Sequence, residues 1–182
     1  MRKVDDDNRL ILKIQKRRSR HAADLLVRRY YQEIYVYVYR QLGNKDDSMD
    51  LTQDIFISAL QTIDYYDHHK STFRTWLYRI ATNKVIDFRR KSRPTLLMLD
   101  EIEIPDPDDY TLRFQDSDLL RSVEEYVSGF DDSLQTIFRL HIFDDRSFKE
   151  IAEITGMPEP TVKTKYYRLQ KRIRKEFGSY ET

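Results

Sequence analysis

SFKEIAEITGMPEPTVKTKYYRLQKRIRK, residues 147–175, reads as two helices joined by a tight turn. Ser147 can cap the first while Glu150, three positions on, reaches back to it in an S-x-x-E capping box. Ile151, Ala152 and Ile154 supply a small apolar face. Gly156 tolerates the left-handed backbone that stops a helix, and Pro158 lacks the amide that would continue it. The chain must turn there. Glu159 precedes a proline and is pushed away from helical dihedrals, which predicts Glu159 as N-cap and Pro160 as the first helical residue. Beyond it, Val162, Tyr166, Leu169 and Ile173 recur at helical spacing and are expected to pack inward, leaving Lys163, Thr164, Tyr167, Arg168 and Lys171 outside. No acidic residue interrupts positions 160–175.

This is the sequence shape of a helix-turn-helix that lays its second helix in the DNA major groove, its N-terminal residues at the base edges. A surface hairpin of two helices with a solvated basic face has the same pattern, and the segment alone does not separate them.

At 182 residues the chain suits one ordinary domain or two small ones. Charged residues make up 35%, with only four glycines and five prolines, a composition that favours helices joined by short loops. The net charge of +1 excludes a polycation that coats nucleic acid unaided, so positive charge must be segregated. The absence of cysteine excludes disulfides and thiolate metal sites. No apolar run approaches membrane-spanning length, and MRKVDDDNRL lacks the apolar core of a signal peptide, so a soluble cytoplasmic protein without membrane insertion is expected. The many tyrosines and phenylalanines are expected to pack in the core.

Taken in order, residues 8–16 form a short amphipathic segment with Leu10, Ile11 and Ile14 on one side, and Lys16, Arg17, Arg18 and Arg20 make a solvated basic corner. A helix over 22–42 repeats Leu26, Tyr30, Ile34, Val38 and Leu42 every fourth residue, and Gly43 and Asn44 end it. The helix predicted over 46–63 has two faces. Ile55, Phe56, Ala59, Leu60 and Ile63 read as core, while Asp50, Asp54, Ile57 and Gln61 form a second stripe mixing acid with apolar surface. One surface isoleucine is ordinary by itself. No histidine or third carboxylate stands in a ligand pattern beside these acids, so a metal or acid–base site is discounted.

Residues 64–73, DYYDHHKSTF, form a polar loop in which the adjacent His68 and His69 are expected to point apart. A helix over 72–91 follows, buried through Trp76, Leu77, Ile80, Ala81 and Phe88 and ended by Pro94. Arg79, Asn83, Ile86 and Arg90 share another side, and Arg89, Arg90, Lys91 and Arg93 form a basic end that also complements the helix dipole. An aromatic loop, a side-chain amide and cations together suit an unstacked base and its phosphates. From Pro94 to about Asp118 carboxylates and prolines replace helical periodicity, as in an exposed acidic linker. Helices resume over 119–127 and after a cap at 131–133, with Leu134, Ile137 and Phe138 inward and His141 as a packing residue.

The runs DLTQDIFISAL, FRTWLYRIATNKVIDFRRK and EIAEITGMPEPTVKTKYYRLQKRIRK, in this order and spacing, resemble bacterial RNA polymerase sigma factors of the extracytoplasmic-function (ECF) type. The resemblance runs over residues 8–178. It implies an all-α protein of two helical domains joined by an acidic linker: residues 8–94 for core polymerase and the minus-ten element, the linker 95–118, and a helix-turn-helix domain 119–178 for the minus-thirty-five element. Asp50, Gln53, Asp54 and Ile57 correspond to the surface that docks on the β′ clamp coiled coil. Asp67, His68, His69, Lys70 and Phe73, with Arg79, Asn83, Lys84 and Arg90, correspond to the part that captures a minus-ten base and its backbone, Asn83 foremost because an amide can pair with a base edge. Pro160, Thr161, Lys163, Thr164, Tyr167, Arg168 and Lys171 correspond to the DNA-facing side of the recognition helix.

The implied partners are core RNA polymerase, through the β′ clamp and the β flap, promoter DNA and an anti-sigma factor. No catalysis, cofactor, metal or small-molecule substrate is implied. The sequence departs from the family at Pro160, where glycine is usual, at Phe130-Asp131, where Leu-Pro is familiar, and at Asp67, His68 and His69, so promoter preference does not transfer. Two further expectations stand beside this one: a two-domain regulator that binds DNA without polymerase, and an acidic linker lying against a basic face to weaken DNA binding.

Overall fold

The computed structural model describes residues 2–92 and 117–178. They form eight α-helices, one short 3-10 helix and no strand, and the chain falls into two compact units, the first built on residues up to Ser92 and the second on most of the residues after it. Residues 93–116, which hold Pro94 and nearly all of the acidic linker, lie outside the described residues.

The first unit comprises α1 (Arg2–Arg17), α2 (Arg20–Leu42), α3 (Lys45–Gln61), the 3-10 turn Ile63–Tyr65 and α4 (Phe73–Ser92). Local chemistry sets its corners. Ser19 caps α2 by accepting the Ala22 amide, Gly43 ends it at φ 70°, and Asn44 caps α3 by accepting the amides of Asp46 and Asp47 at 2.9 and 3.1 Å. The predicted stripe of α2 is buried at Leu26, Tyr30, Ile34 and Val38, with Leu42 half-buried at its end. Ile11, Ile14, Ile55, Phe56, Ala59 and Ile63 complete the centre. Buried polar groups pair inside it at two places: Asp7 accepts from Arg29 and Tyr30, and the hydroxyls of Tyr37 and Thr82 meet at 2.9 Å. Burial, then the Asp7 hydrogen bond, pushes the Tyr30 phenol far up, so it stays a donor.

On α4 the buried side departs from expectation. Leu77 and Ala81 are buried as predicted, but Trp76, Ile80 and Phe88 are only half-buried, while Phe73, Tyr78 and Val85 are inside. The inward stripe is 73, 77, 81, 85, and Arg89 continues it. Arg89 is therefore not part of an exposed basic end: it is 7% exposed and donates to the Gln41 carbonyl at 2.8 Å, tying α4 to α2.

The second unit comprises α5 (Ser117–Val127), α6 (Asp132–Ile142), α7 (Phe148–Thr155) and α8 (Glu159–Phe177). Val123, Val127, Leu134, Phe138, Leu169 and Ile173 form one buried cluster joining α5, α6 and α8. Asp131 caps α6 through the amides of Ser133 and Leu134, and Gln135 ties down the preceding loop by donating to the carbonyls of Ser128 and Phe130. His141 is a packing residue: its Nδ1 lies 2.8 Å from the Arg146 carbonyl oxygen, and its ring stacks on Phe148 and meets Tyr166 edge-on.

Candidate nucleic-acid interface

Three surfaces carry the candidate residues, two on the first unit and one on the second. On α3, Ser48, Leu51, Thr52, Ile55, Phe56 and Ala59 turn inward. Asp50, Gln53, Asp54 and Ile57 fall on the opposite stripe and are all exposed, Ile57 at 53%. An apolar side chain in solvent one turn beyond Asp54 does nothing for the stability of α3.

The second surface starts at the loop before α4. The Asp67 carbonyl accepts the Lys70 amide at 3.1 Å and its Oδ1 accepts the His69 amide at 2.9 Å, closing a tight turn. His68 and His69 occupy its two corner positions, and their rings do not point apart as expected; the centroids are 3.8 Å apart. The turn chemistry of Asp67 overrides the divergence of neighbouring side chains in extended chain. Beneath the turn, buried Tyr66 donates to the Ser71 carbonyl at 3.1 Å. Burial, with added effects from Asp7 and Asp67, pushes its phenol up to about 12, so it remains a donor near neutrality.

Phe73 must be removed from this surface. It is 3% exposed and packs among Tyr30, Tyr66 and Trp76, because the first residue of α4 lies on the same stripe as Leu77 and Ala81. The aromatic ring that is exposed nearby belongs to Tyr65, at 84%. Sequence alone gave no means of separating Tyr65 from Tyr66; the 3-10 turn does so. Along α4, Arg79, Asn83 and Arg90 are exposed on one stripe, whereas Lys84 is half-buried and lies about 100° round the helix from Asn83. Lys70, His68 and His69 are exposed and Asp67 is half-buried.

The third surface is on α8. The capping box forms in full: Ser147 Oγ accepts the Glu150 amide, and Glu150 Oε2 accepts from the Ser147 amide at 3.0 Å and its hydroxyl at 2.8 Å. Burial alone would raise the Glu150 carboxyl, but the Ser147 hydrogen bonds and the Arg146 charge outweigh it and hold the group below its ordinary range. Gly156 ends α7 at φ 73°. The N-cap of α8 is Pro158 and not Glu159, which places Pro160 at the second helical position. Pro158 is extended, and its carbonyl accepts the Val162 amide at 3.1 Å, closing the first turn one residue early. Pro160 fits because an amide there has no acceptor within the helix.

Val162, Tyr166, Leu169, Gln170 and Ile173 face inward. Pro160, Thr161, Lys163, Arg168 and Lys171 are exposed, and Thr164 and Tyr167 half-buried, together covering the opposite arc. Thr161, Thr164, Arg168 and Lys171 share one stripe; Lys163 and Tyr167 flank it. Lys163 pairs with Glu159 at 2.8 Å. Lys165, between these positions, donates to Ser133 Oγ at 2.9 Å and anchors α8 to α6.

Residues 26–95 match the Sigma-70 region 2 family model and residues 131–173 the Sigma-70, region 4 model. The ECF RNA polymerase sigma factor SigW of Bacillus subtilis is 32% identical over 160 residues, covering 81% of this chain and 84% of the relative. Among solved structures, CnrH in complex with the cytosolic domain of CnrY shares the fold at a TM-score of 0.65 and 20% identity, over 96% of this chain and 98% of that one. The sigma factor RpoE in complex with the anti-sigma factor NepR from Bartonella quintana aligns at a TM-score of 0.55 and 17% identity, over 84% and 94%. Matches to both regions in order, with a relative of this identity along most of its length, place the chain among the ECF RNA polymerase sigma factors.

Proposed function

We propose that the chain is a dissociable specificity subunit that binds core RNA polymerase and directs it to promoters, performing no chemistry of its own. The observation that carries this is the α3 stripe: Asp50, Gln53, Asp54 and Ile57 set an exposed apolar residue one turn beyond a carboxylate, a surface that suits a partner and not the fold. Residues 8–94 are assigned to the polymerase clamp and the minus-ten element, 95–118 to the linker, and 119–178 to the β flap and the minus-thirty-five element. Asn83 and Arg79 on α4, with the 67–70 turn, take an extruded base and its phosphates. Unstacking costs a few kcal/mol, which the phosphate contacts of both units offset. On α8, Arg168 and Lys171 position the helix on phosphates, and Thr161 and Thr164 lie nearest the base edges. The Bartonella sigma factor is held by an anti-sigma factor, and a regulator of that kind is assigned to this chain too. No helix among the described residues is long and apolar enough to cross a membrane, which suits work beside the polymerase in the cytoplasm.

The test is run-off transcription with core polymerase and genomic fragments from the source organism. A promoter-specific product that depends on this chain is expected. Tight operator binding without polymerase and no such product would favour the two-domain regulator instead.

A further inference from the structure

We propose that the 67–70 turn is a binding site for a divalent transition-metal ion, held by Asp67, His68 and His69. One ligand atom from each of the three lies within 4.8 Å of the other two. Ligands about 2.0–2.1 Å from a tetrahedral zinc ion stand about 3.4 Å apart, so rotation of the exposed histidines closes the set. Two imidazoles with one carboxylate select zinc, nickel, cobalt or copper over magnesium or calcium. The turn is already built by the Lys70 and His69 amides, and Tyr66 fastens its far end to Ser71, so little backbone ordering is left for the ion to induce. Among the described residues neither imidazole has a hydrogen-bonding partner; their one contact is ring to ring.

Three protein ligands leave coordination positions open to water or another group. The consequence for DNA rests on the reading of this turn as part of the minus-ten contact. Asp67 alone repels phosphate. A dication on it reverses the local charge, and an open position can take a phosphate oxygen, so the ion strengthens engagement of the minus-ten strand.

Isothermal titration of the metal-stripped full chain with Zn2+ alone tests the site. One site with a Kd on the order of micromolar is expected, weaker than a closed structural zinc centre because the two imidazoles lack supporting partners. His68→Ala/His69→Ala should weaken it at least tenfold, and Asp67→Asn several-fold, with unchanged circular dichroism. Equal affinity and stoichiometry in the double variant would overturn the site and assign the zinc to His21, His141 or surface carboxylates. The second arm measures run-off transcription with and without Zn2+. Stimulation of the wild type and not of the double variant supports the coupling, and equal response of both overturns it. A chain that gives no promoter-specific product at all refutes the proposed function, while the titration still decides the site.

Discussion

Phe73 meets Tyr66 edge to face, with centroids 5.7 Å apart and planes at 85°, and also lies 5.4 Å from the ring of Tyr30. A residue beside the 67–70 turn is thus a structural pin beneath it. Phe73→Ala should destabilise the first unit by about 3–5 kcal/mol, and Phe73→Leu by much less, since it keeps most of the volume. Chemical denaturation of the full chain measures this. Any loss of promoter activity in Phe73→Ala should follow the unfolded fraction and be relieved on cooling toward the temperature of maximum stability; a stable variant with lost DNA binding would return Phe73 to the surface.

The α3 stripe predicts the opposite behaviour. Asp54 and Ile57 are exposed, so Asp54→Lys and Ile57→Ala should leave the denaturation midpoint within about 0.5 kcal/mol of wild type. Each should weaken association with core polymerase about tenfold, equivalent to about 1.4 kcal/mol. Fluorescence anisotropy of labelled protein titrated with core enzyme reads this out. Unchanged affinity in both variants would remove the stripe from the interface.

In the second unit, the capping box gives a prediction with a definite pH sense. Glu150 binds its proton less readily in the fold than in the unfolded chain, because Ser147 and Arg146 outweigh the effect of burial. Its contribution to stability is present above the ordinary glutamate range and is lost as pH falls through the lowered folded value. Glu150→Gln should flatten that part of the acid limb of stability, and Ser147→Ala should cost about 1 kcal/mol at neutral pH. Thermal denaturation from neutral to acidic pH compares the variants.

What the sequence revealed depended on how local its cause was. The inward face of α8, the Ser147–Glu150 box and the helix end at Gly43 each follow from spacing or from one residue's conformational preference, and all are present. Phe73, Arg89 and the histidine pair were misread because their placement is fixed by other elements. Phe73 and Arg89 lie on a stripe whose direction depends on how α4 docks against α2, and a terminal arginine reads as solvated until the Gln41 carbonyl is beside it. His68 and His69 converge because the side chain of Asp67 shapes the turn. The exposure of the α3 stripe, and of Arg79, Asn83 and Arg90 on α4, was legible, since helical spacing puts these residues on faces that packing does not need.

The Lys163–Glu159 ion pair at 2.8 Å supplies a prediction on DNA affinity. Glu159 is in the first turn of α8, where a carboxylate favours the helix dipole by about 0.3–1 kcal/mol but also stands where phosphate would approach in the proposed DNA contact. Its hydrogen bond raises the Lys163 pKa, keeping the ammonium charged, yet directs it toward the carboxylate. Glu159→Gln should therefore weaken the unit slightly and strengthen duplex binding, by about two- to fivefold, with a steeper salt dependence as Lys163 turns to phosphate. Arg168→Ala should do the reverse, lowering affinity for all sequences alike and reducing the salt slope by about 1. Both are read by anisotropy with labelled promoter duplex between low and physiological salt. If Glu159→Gln leaves affinity and slope unchanged, the N-terminal turn of α8 does not face the phosphates and the groove-entering orientation of the helix must be abandoned.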